Sequence, residues 1–324
     1  MRISVVIPAF NAARFIAATI ASAKSQTLSP LEIIVVDDGS VDNTAEVAAS
    51  LGCVVIRQEN GGVCAARNAG IQAARGDWIA LLDHDDLWEP HKLARQAAAA
   101  ALCPDVAFLA TDFVRQRSGE PDGISCLDEP KYGFDTLTVE RVEGTILLLP
   151  LAGVEILSAG WFLFPSSILV RRDVLIEAGM FRPQQRLCED VDCFLRILLR
   201  TPLVLVREPL WRWREHASNA SRDTAGIAEG WLRLGQYVRT DPEAYPPGTF
   251  EQLRPTLRAM RRDLVAAYTA RGDFRNARRI SRTAVGGRLT PTDAALAVVV
   301  EFPPSLWAML RRARSVFRAF SFSS

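Results

Sequence analysis

Short, unbroken apolar runs alternate with stretches of helical periodicity through the first hundred residues, and this alternation constrains the fold more than any other feature of the chain. ISVVIPAF, from about Ile3, reads as a buried strand. ARFIAATIASAKSQ follows as a helix with Phe15, Thr19 and Ser22 or Ala23 on one face. LEIIVVDDGS is a second strand, DNTAEVAASLG a helix stopped by glycine, and CVVIRQE a third strand. GGVCAARNAGIQAARG is a helix opened and closed by glycine, and DWIALLD is the fourth strand. Strands buried on both faces read as continuous apolar runs, and strands separated by helices of about ten to fifteen residues form parallel sheets. The expected class is therefore α/β, and in open α/β sheets ligands bind beyond the carboxyl ends of the strands. Pro8-Ala9-Phe10-Asn11, Asp37-Asp38-Gly39-Ser40 and Asp83-His84-Asp85-Asp86 all fall there.

The third of these segments carries the strongest chemistry. The apolar run Trp78-Ile79-Ala80-Leu81-Leu82 stops at three carboxylates, Asp83, Asp85 and Asp86. Like charges at one strand end repel one another and resist desolvation, so a cation belongs among them. Mg²⁺ and Mn²⁺ take oxygen ligands and commonly share them with substrate phosphates. Acidic clusters after strands also serve as solvated loops or helix caps, so D-x-D-D by itself leaves both readings open.

Beyond HKLARQAAAAALC the pattern loosens. Residues 115–160 read as irregular loops and short strands. PSSILVRRDVLIEAGMF reads as a strand and a short helix stopped at Gly179. EDVDCFLRILLR is an amphipathic helix, and TPLVLVREPLWRWREH supplies late strands. From about 223 onward the chain reads as helical. Leu257, Met260, Leu264 and Tyr268 form one stripe, Gly272-Asp273 a turn, and Phe274, Ala277 and Ile280 the return. The net charge of +1 hides a division, because residues 222–324 hold 17 Arg against 9 acidic residues. That basic tail points to an anionic partner or to a solvated helical face. Within it, 304–320 is amphipathic, with Leu306, Leu310, Ala313, Phe317 and Phe320 opposite Arg311, Arg312, Arg314 and Arg318. Such a helix either lies on an anionic membrane or docks on its own protein. The six cysteines lack metal-ligand spacing and suit free thiols in a reducing compartment. No apolar run reaches the roughly 20 residues of a spanning helix, and no signal peptide precedes the first strand. The expected location is cytoplasmic, with peripheral contact at the inner membrane face through 304–320.

Four motifs in one order, VVIPAFN, VVDDGSVDNT, NGGVCAARNAG and LLDHDD, together resemble family 2 glycosyltransferases over about residues 1–221. The resemblance implies a GT-A fold: Rossmann-like, with a mostly parallel central sheet and helices on both faces. It implies a nucleotide-binding half over 1–112 and an acceptor and catalytic half over 113–221; the basic C-terminal helical extension expected over 222–324 falls outside it. In the family, the segment matching Pro8, Ala9, Phe10 and Asn11 walls the nucleotide pocket, although Phe10 equally suits a packing role. Asp38 is implied at the base, with Ser40 and Asp42 capping the next helix. Arg67 is implied near the nucleotide, the other reading being an ion pair with Asp38 or Asp83. The D-x-D match implies Asp83 toward the ribose and Asp85 on a metal, Mn²⁺ or Mg²⁺, that bridges the diphosphate. Asp86 is expected to cap a helix starting near Trp88-Glu89-Pro90.

Two downstream segments extend the likeness. Glu189-Asp190 resembles the family's E-D pair, which implies Asp190 as general base and Glu189 as an acceptor contact; an acidic N-cap pair is the other reading. Trp213-Arg214-Glu215-His216 resembles the family's R-x-H segment, implying His216 as a metal ligand and Arg214 on the diphosphate. The implied activity is inverting, metal-dependent transfer of a sugar from a nucleoside-diphosphate donor, most readily a UDP-sugar, to an acceptor hydroxyl in cell-surface polysaccharide or glycolipid synthesis. A glycan or lipid-linked acceptor, and not nucleic acid, is the expected partner. Two other classes compete. A catalytically silent nucleotide-sugar-binding module would lack D-x-D or E-D, and both stand here. A sugar-1-phosphate nucleotidyltransferase would carry a glycine-rich basic loop after the first strand, where this chain has PAFNAARF.

Overall fold

The computed structural model describes residues 1–300 apart from 118, 131–132, 151–152 and 287–288. The four apolar runs become strands β1 (Ile3–Ala9), β2 (Glu32–Asp37), β3 (Val54–Arg57) and β4 (Trp78–Leu81). Helices α1 (Ile16–Lys24), α2 (Thr44–Ser50) and α3 (Val63–Ala73) connect them. β1 pairs in parallel with β2 and β4, and β2 with β3, so the order is β3-β2-β1-β4. The chain steps outward to β3 and then returns past β1. Right-handed crossovers place α1 and α2 on one face and α3 on the other. The carboxyl ends of β1 and β4 therefore flank a switch point, where open sheets bind ligands. α3 presses against this half of the sheet at Gly70, where an added Cβ would lie 2.4 Å from Val6 Cγ1.

The remainder of the sheet is mixed. It uses β5 (Leu87–Trp88), β6 (Phe108–Arg117), β7 (Glu120–Pro121), β8 (Glu140–Glu143), β9 (Ile146–Leu149), β10 (Leu169–Arg171) and β11 (Leu203–Arg214). Helices α4 (Lys92–Leu102), α5 (Gly153–Ala159), α6 (Arg172–Glu177) and α7 (Glu189–Leu198) belong to the same region. β10 runs antiparallel between β4 and β6, β6 and β11 are parallel, and β9 and β8 close the far edge. The result is the α/β architecture expected, a mostly parallel centre with helices and antiparallel additions.

Two expectations fail in detail. No helix starts near Trp88; Leu87 and Trp88 pair with Arg212 and Trp211 of β11, and α4 begins at Lys92. The late strands are a single strand, β11, whose register against β6 shifts around Pro209, which has no N–H to give to the ladder.

The described chain divides into two compact units, Met1–Arg222 with Arg233–Leu253, and Asp223–Leu232 with Arg254 onward. The C-terminal helices are α8 (Thr224–Thr240), α9 (Thr249–Ala270), α10 (Phe274–Ser281) and α11 (Pro291–Val299). In the second unit Leu264, Val265, Ala277 and Ile280 form a small core, with Met260 and Tyr268 against it. Gly272 turns the hairpin at φ 76°, and Asp273 caps α10 by accepting from the Asn276 N–H at 3.1 Å. Buried Arg261 donates to the Ser281 carbonyl at 2.7 Å and pairs with Asp293 at 2.5 Å. The amphipathic segment 304–320 lies outside the described residues. No helix among the described residues is long and apolar enough to cross a membrane.

Candidate active site

The ends of β1 and β2 are tied together. Pro8 and Ala9 are buried, whereas Phe10 is 45% exposed. Asn11 stands at φ 49°, a left-handed conformation that costs a non-glycine residue energy and is held only by its surroundings. Its N–H donates to Ser40 Oγ at 2.9 Å, and its Oδ1 accepts from the Val41 N–H at 3.0 Å. Ser40 does not cap α2 as expected, because the N-cap position falls at Asn43, and the Ser40 hydroxyl accepts from Asn11 instead. Asp42 accepts from the N–H groups of Thr44 and Ala13, both at 3.1 Å, and braces the two loops.

The paired aspartates separate. Asp37 pairs with Arg57 at 3.3 Å. Asp38, buried, accepts from Gln58 Nε2 at 2.6 Å, the Gly61 N–H at 2.9 Å and the Gly62 N–H at 2.8 Å. An ionised carboxylate has about four lone-pair sites, so roughly one remains for a ligand.

Arg67 resolves its two readings into a bridge. Its Nη2 donates to Asp83 Oδ1 and its Nη1 to Glu189 Oε1, each at 2.7 Å. Burial opposes its charge, yet the Asp83 and Glu189 carboxylates outweigh that and raise its pKa above the ordinary value. Of the two ion-pair partners weighed from sequence, Asp83 is the one observed. The guanidinium also lies 5.1 Å from the centre of the Phe181 ring.

Beside this bridge, Asp85 Oδ2 meets His216 Nε2 at 2.9 Å and Asn219 Nδ2 at 3.3 Å. The imidazole stacks on Phe15, with ring centres 4.5 Å apart, and its Nδ1 lies 2.9 Å from Ser218 Oγ. Arg214 donates to the Asp85 carbonyl and to Thr19 Oγ1, the latter at 2.7 Å, and lies over Phe15. Burial lowers its pKa against the pull of Asp86 and Asp85. Asp86 caps no helix, which corrects the expectation. It is buried, accepting from Ser166 Oγ at 2.6 Å and the Arg214 N–H at 3.3 Å. Burial, then the neighbouring Asp85 and Asp83, push its pKa well up. His84 Nδ1 lies 3.3 Å from the Pro8 carbonyl.

Glu189 and Asp190 form the first turn of α7, entered through Cys188 at φ 60°. Burial, and then the charge of Glu189, raise the pKa of Asp190 to about 7. The Arg67 charge and the Val191 N–H, which donates to Asp190 Oδ1 at 2.8 Å, pull the other way without offsetting them. Among the described residues no cluster of three or more His, Cys, Asp or Glu is disposed around one metal position. Asp85 and His216 offer an oxygen and a nitrogen side by side, which suits a divalent ion only when a substrate diphosphate and water complete its shell.

A mostly parallel α/β sheet whose switch point gathers carboxylates from β4 and α7 defines the class of GT-A glycosyltransferases. The sequence profile described as glycosyl transferase family 2 matches residues 4–175, and the chain belongs to that family. It is 42% identical over 242 residues to an uncharacterized glycosyltransferase of Rickettsia typhi, covering 72% of this chain and 70% of that one. An uncharacterized glycosyltransferase of Nostoc is 36% identical over 184 residues, 54% of this chain and 52% of its own, so the match spans about half of that relative's length. S. aureus TarS residues 1–349 in complex with UDP superpose with a TM-score of 0.56 at 17% identity, covering 100% of this chain and 93% of that one. The complex of the same TarS fragment with UDP-GlcNAc gives 0.57 at 16% identity, covering 93% and 79%.

Several residues at this site carried no assigned role in the sequence reading. Ser166, which holds both the Asp83 N–H and Asp86, is brought in only by the β10–β4 pairing. Phe15 looked like core on helical periodicity but stacks on His216. Gln58 sits directly after the third strand, where its polar side chain marked only the strand's end. Asn219 lies three residues after His216, and its amide so close to a candidate ligand was the available signal.

Proposed function

We propose that the protein is an inverting glycosyltransferase that moves a sugar from a nucleoside diphosphate, most readily UDP, to an acceptor hydroxyl. The observation that carries this reading is the continuity of Asp83, Arg67, Glu189 and Asp190, which sets an acceptor-side carboxylate of raised pKa beside the donor-side carboxylates. A base whose pKa lies near the working pH combines the right protonation state with useful driving force. As the acceptor oxygen attacks the anomeric carbon, Asp190 takes its proton, and the bond from that carbon to the diphosphate oxygen breaks with inversion. Glu189, oriented by Arg67, lies beside it and raises its basicity. Asp38 and the Pro8–Asn11 segment take the nucleotide, and Arg214 frames the diphosphate side. A divalent ion, Mn²⁺ or Mg²⁺, held by Asp85 and His216 would stabilise the charge growing on the leaving diphosphate. UDP and UDP-GlcNAc in the TarS complexes support a uridine donor. A glycan or lipid-linked acceptor fits the basic C-terminal part, and we place the protein in cell-surface polysaccharide or glycolipid synthesis at the cytoplasmic face.

The test is a thermal-shift screen with UDP-, GDP-, dTDP- and CMP-sugars plus Mn²⁺, followed by turnover of the stabilising donor by Asp190→Asn. The expected result is stabilisation by one nucleotide class and abolished transfer with donor binding nearly intact. Wild-type turnover by Asp190→Asn removes it from the mechanism.

A further inference from the structure

α7 carries more buried charge than its first turn requires. Asp192, fully buried, meets Arg196 Nη2 at 2.8 Å and Arg182 Nε at 3.7 Å. Its other oxygen accepts from the hydroxyl of Tyr245, a side chain only 1% exposed. Burial, followed by the Asp192 charge, holds the Tyr245 hydroxyl well above the usual phenol range, so it is a donor at every working pH. Tyr245 belongs to 233–253, beyond the end of the family match at residue 175.

That stretch is fastened to the same region at several further points. Arg182 pairs with Asp241 at 2.5 Å and lies 4.6 Å from the centre of the Tyr237 ring. Arg200, just after α7, donates to the Glu243 carbonyl at 2.5 Å. Arg196 in turn donates to the Met180 carbonyl at 2.5 Å. Next to Met180, Phe181 exchanges two hydrogen bonds with Asn68, at 2.7 and 3.0 Å, and supports Arg67 with its ring. A continuous set of contacts therefore runs from 241–245 through Asp192 and Arg196 to Arg67, Glu189 and the left-handed entry at Cys188.

We propose that residues 241–245 act as a strap on α7 and that Tyr245, through Asp192, is a positioning residue that holds the Glu189-Asp190 turn in its reactive setting. The inference rests on the reading of Asp190 as the base. Asp190 faces Glu189 on its own helix, Arg67 from α3 and Asp83 from the end of β4. A turn released by the loss of the strap exposes the half-buried Asp190 further to water.

The test uses the full chain, carrying ¹³C-labelled aspartate, with two readouts that need no substrate. In Tyr245→Phe, which removes one hydroxyl, amide hydrogen exchange across 188–193 should accelerate about tenfold, as expected for loss of a hydrogen bond to a charged group. Exchange across 58–67 should change little. The Asp190 midpoint, assigned by its absence in Asp190→Asn, should fall from about 7 toward the ordinary carboxylate range. Asp241→Asn, at the half-exposed end of the strap, should move both readouts in the same direction by less, and it covers a failure of Tyr245→Phe to fold. A uniform rise in exchange over the whole chain, or an unmoved Asp190 midpoint in both folded variants, overturns the inference. Full turnover by Asp190→Asn would instead refute the base assignment while leaving the exchange result to stand on its own.

Discussion

Asp190 and Lys92 are ionisable groups whose burial opposes their charge, and they give opposite pH signatures. Asp190, raised to about 7, binds its proton more tightly folded than unfolded, where the midpoint is about 3.9. Across that window the folded state holds more protons, so its contribution to stability is present below about 4 and is lost as pH rises through about 7. Asp190→Asn does not titrate. It should therefore melt higher than wild type by a margin that grows from pH 5 to pH 8, worth on the order of 2 kcal/mol. A margin that shrinks over this range would contradict the raised pKa. Transfer by the wild type should rise over the same interval as the carboxyl ionises.

Lys92 is fully buried in α4, with Nζ 2.9 Å from Gln96 Oε1 and 4.4 Å from the centre of the Trp88 ring, and no carboxylate pairs with it among the described residues. Burial alone pushes its pKa well below the usual lysine value. Here the unfolded chain holds the extra proton below about 10.4, so the contribution to stability weakens as pH falls. Lys92→Met should gain stability relative to wild type, and the gain should widen from pH 9 to pH 6 in urea titrations. A constant difference would mean that the ammonium stays charged in the fold.

At the scale of elements, what was legible in the sequence follows how local the cause is. β1, β2 and β4 stood out with their helices because each strand is buried along most of its length and so is largely apolar, whereas the edge strand β3 is half-exposed and was marked by its Val54-Val55-Ile56 run alone. The α9–α10 hairpin was legible for a similar reason, with Gly272-Asp273 supplying both turn and cap. The short strand at Leu87-Trp88 was not, because its pairing with Arg212 and Trp211 depends on chain more than a hundred residues away. The helix cap expected of Asp86 failed for the same reason, since its partner Ser166 arrives with β10. The close fit of α3 on β1 gives the prediction proper to this scale. Gly70→Ala places a methyl 2.4 Å from Val6 Cγ1, and overpacking of this kind costs about 1–3 kcal/mol. A lowered urea midpoint at unchanged slope is expected, and Val6→Ala in the same chain should restore part of it. An unchanged midpoint in Gly70→Ala would mean that α3 can lift from the sheet freely.

For the whole molecule, the strand-end segments proposed as the donor side were visible as motifs, whereas their connection to the proposed acceptor side was not. Arg67 joins Asp83 to Glu189, 122 residues beyond itself, through side-chain geometry that no local pattern encodes. The metal question belongs to this scale too, because among the described residues no three candidate ligands meet at one point, and Asp85 and His216 supply two. Two ligands bind a hard divalent ion weakly, and a diphosphate bound without its ion meets Asp85 with no cation between them. Ion and nucleotide should therefore stabilise the chain together far more than either alone. At about 100 times the dissociation constant, binding adds about 2.7 kcal/mol. At roughly 2–4 °C per kcal/mol for a domain of this size, UDP with Mn²⁺ should raise Tm by about 5–10 °C. Mn²⁺ alone, or UDP in EDTA, should give less than a third of that shift. Asp85→Asn should reduce the joint shift to the level of UDP in EDTA, because it removes the proposed ligand oxygen while leaving the hydrogen bonds of Asp38 intact. A UDP shift that survives EDTA undiminished would remove the ion from the donor site and leave the cationic side chains to carry the diphosphate.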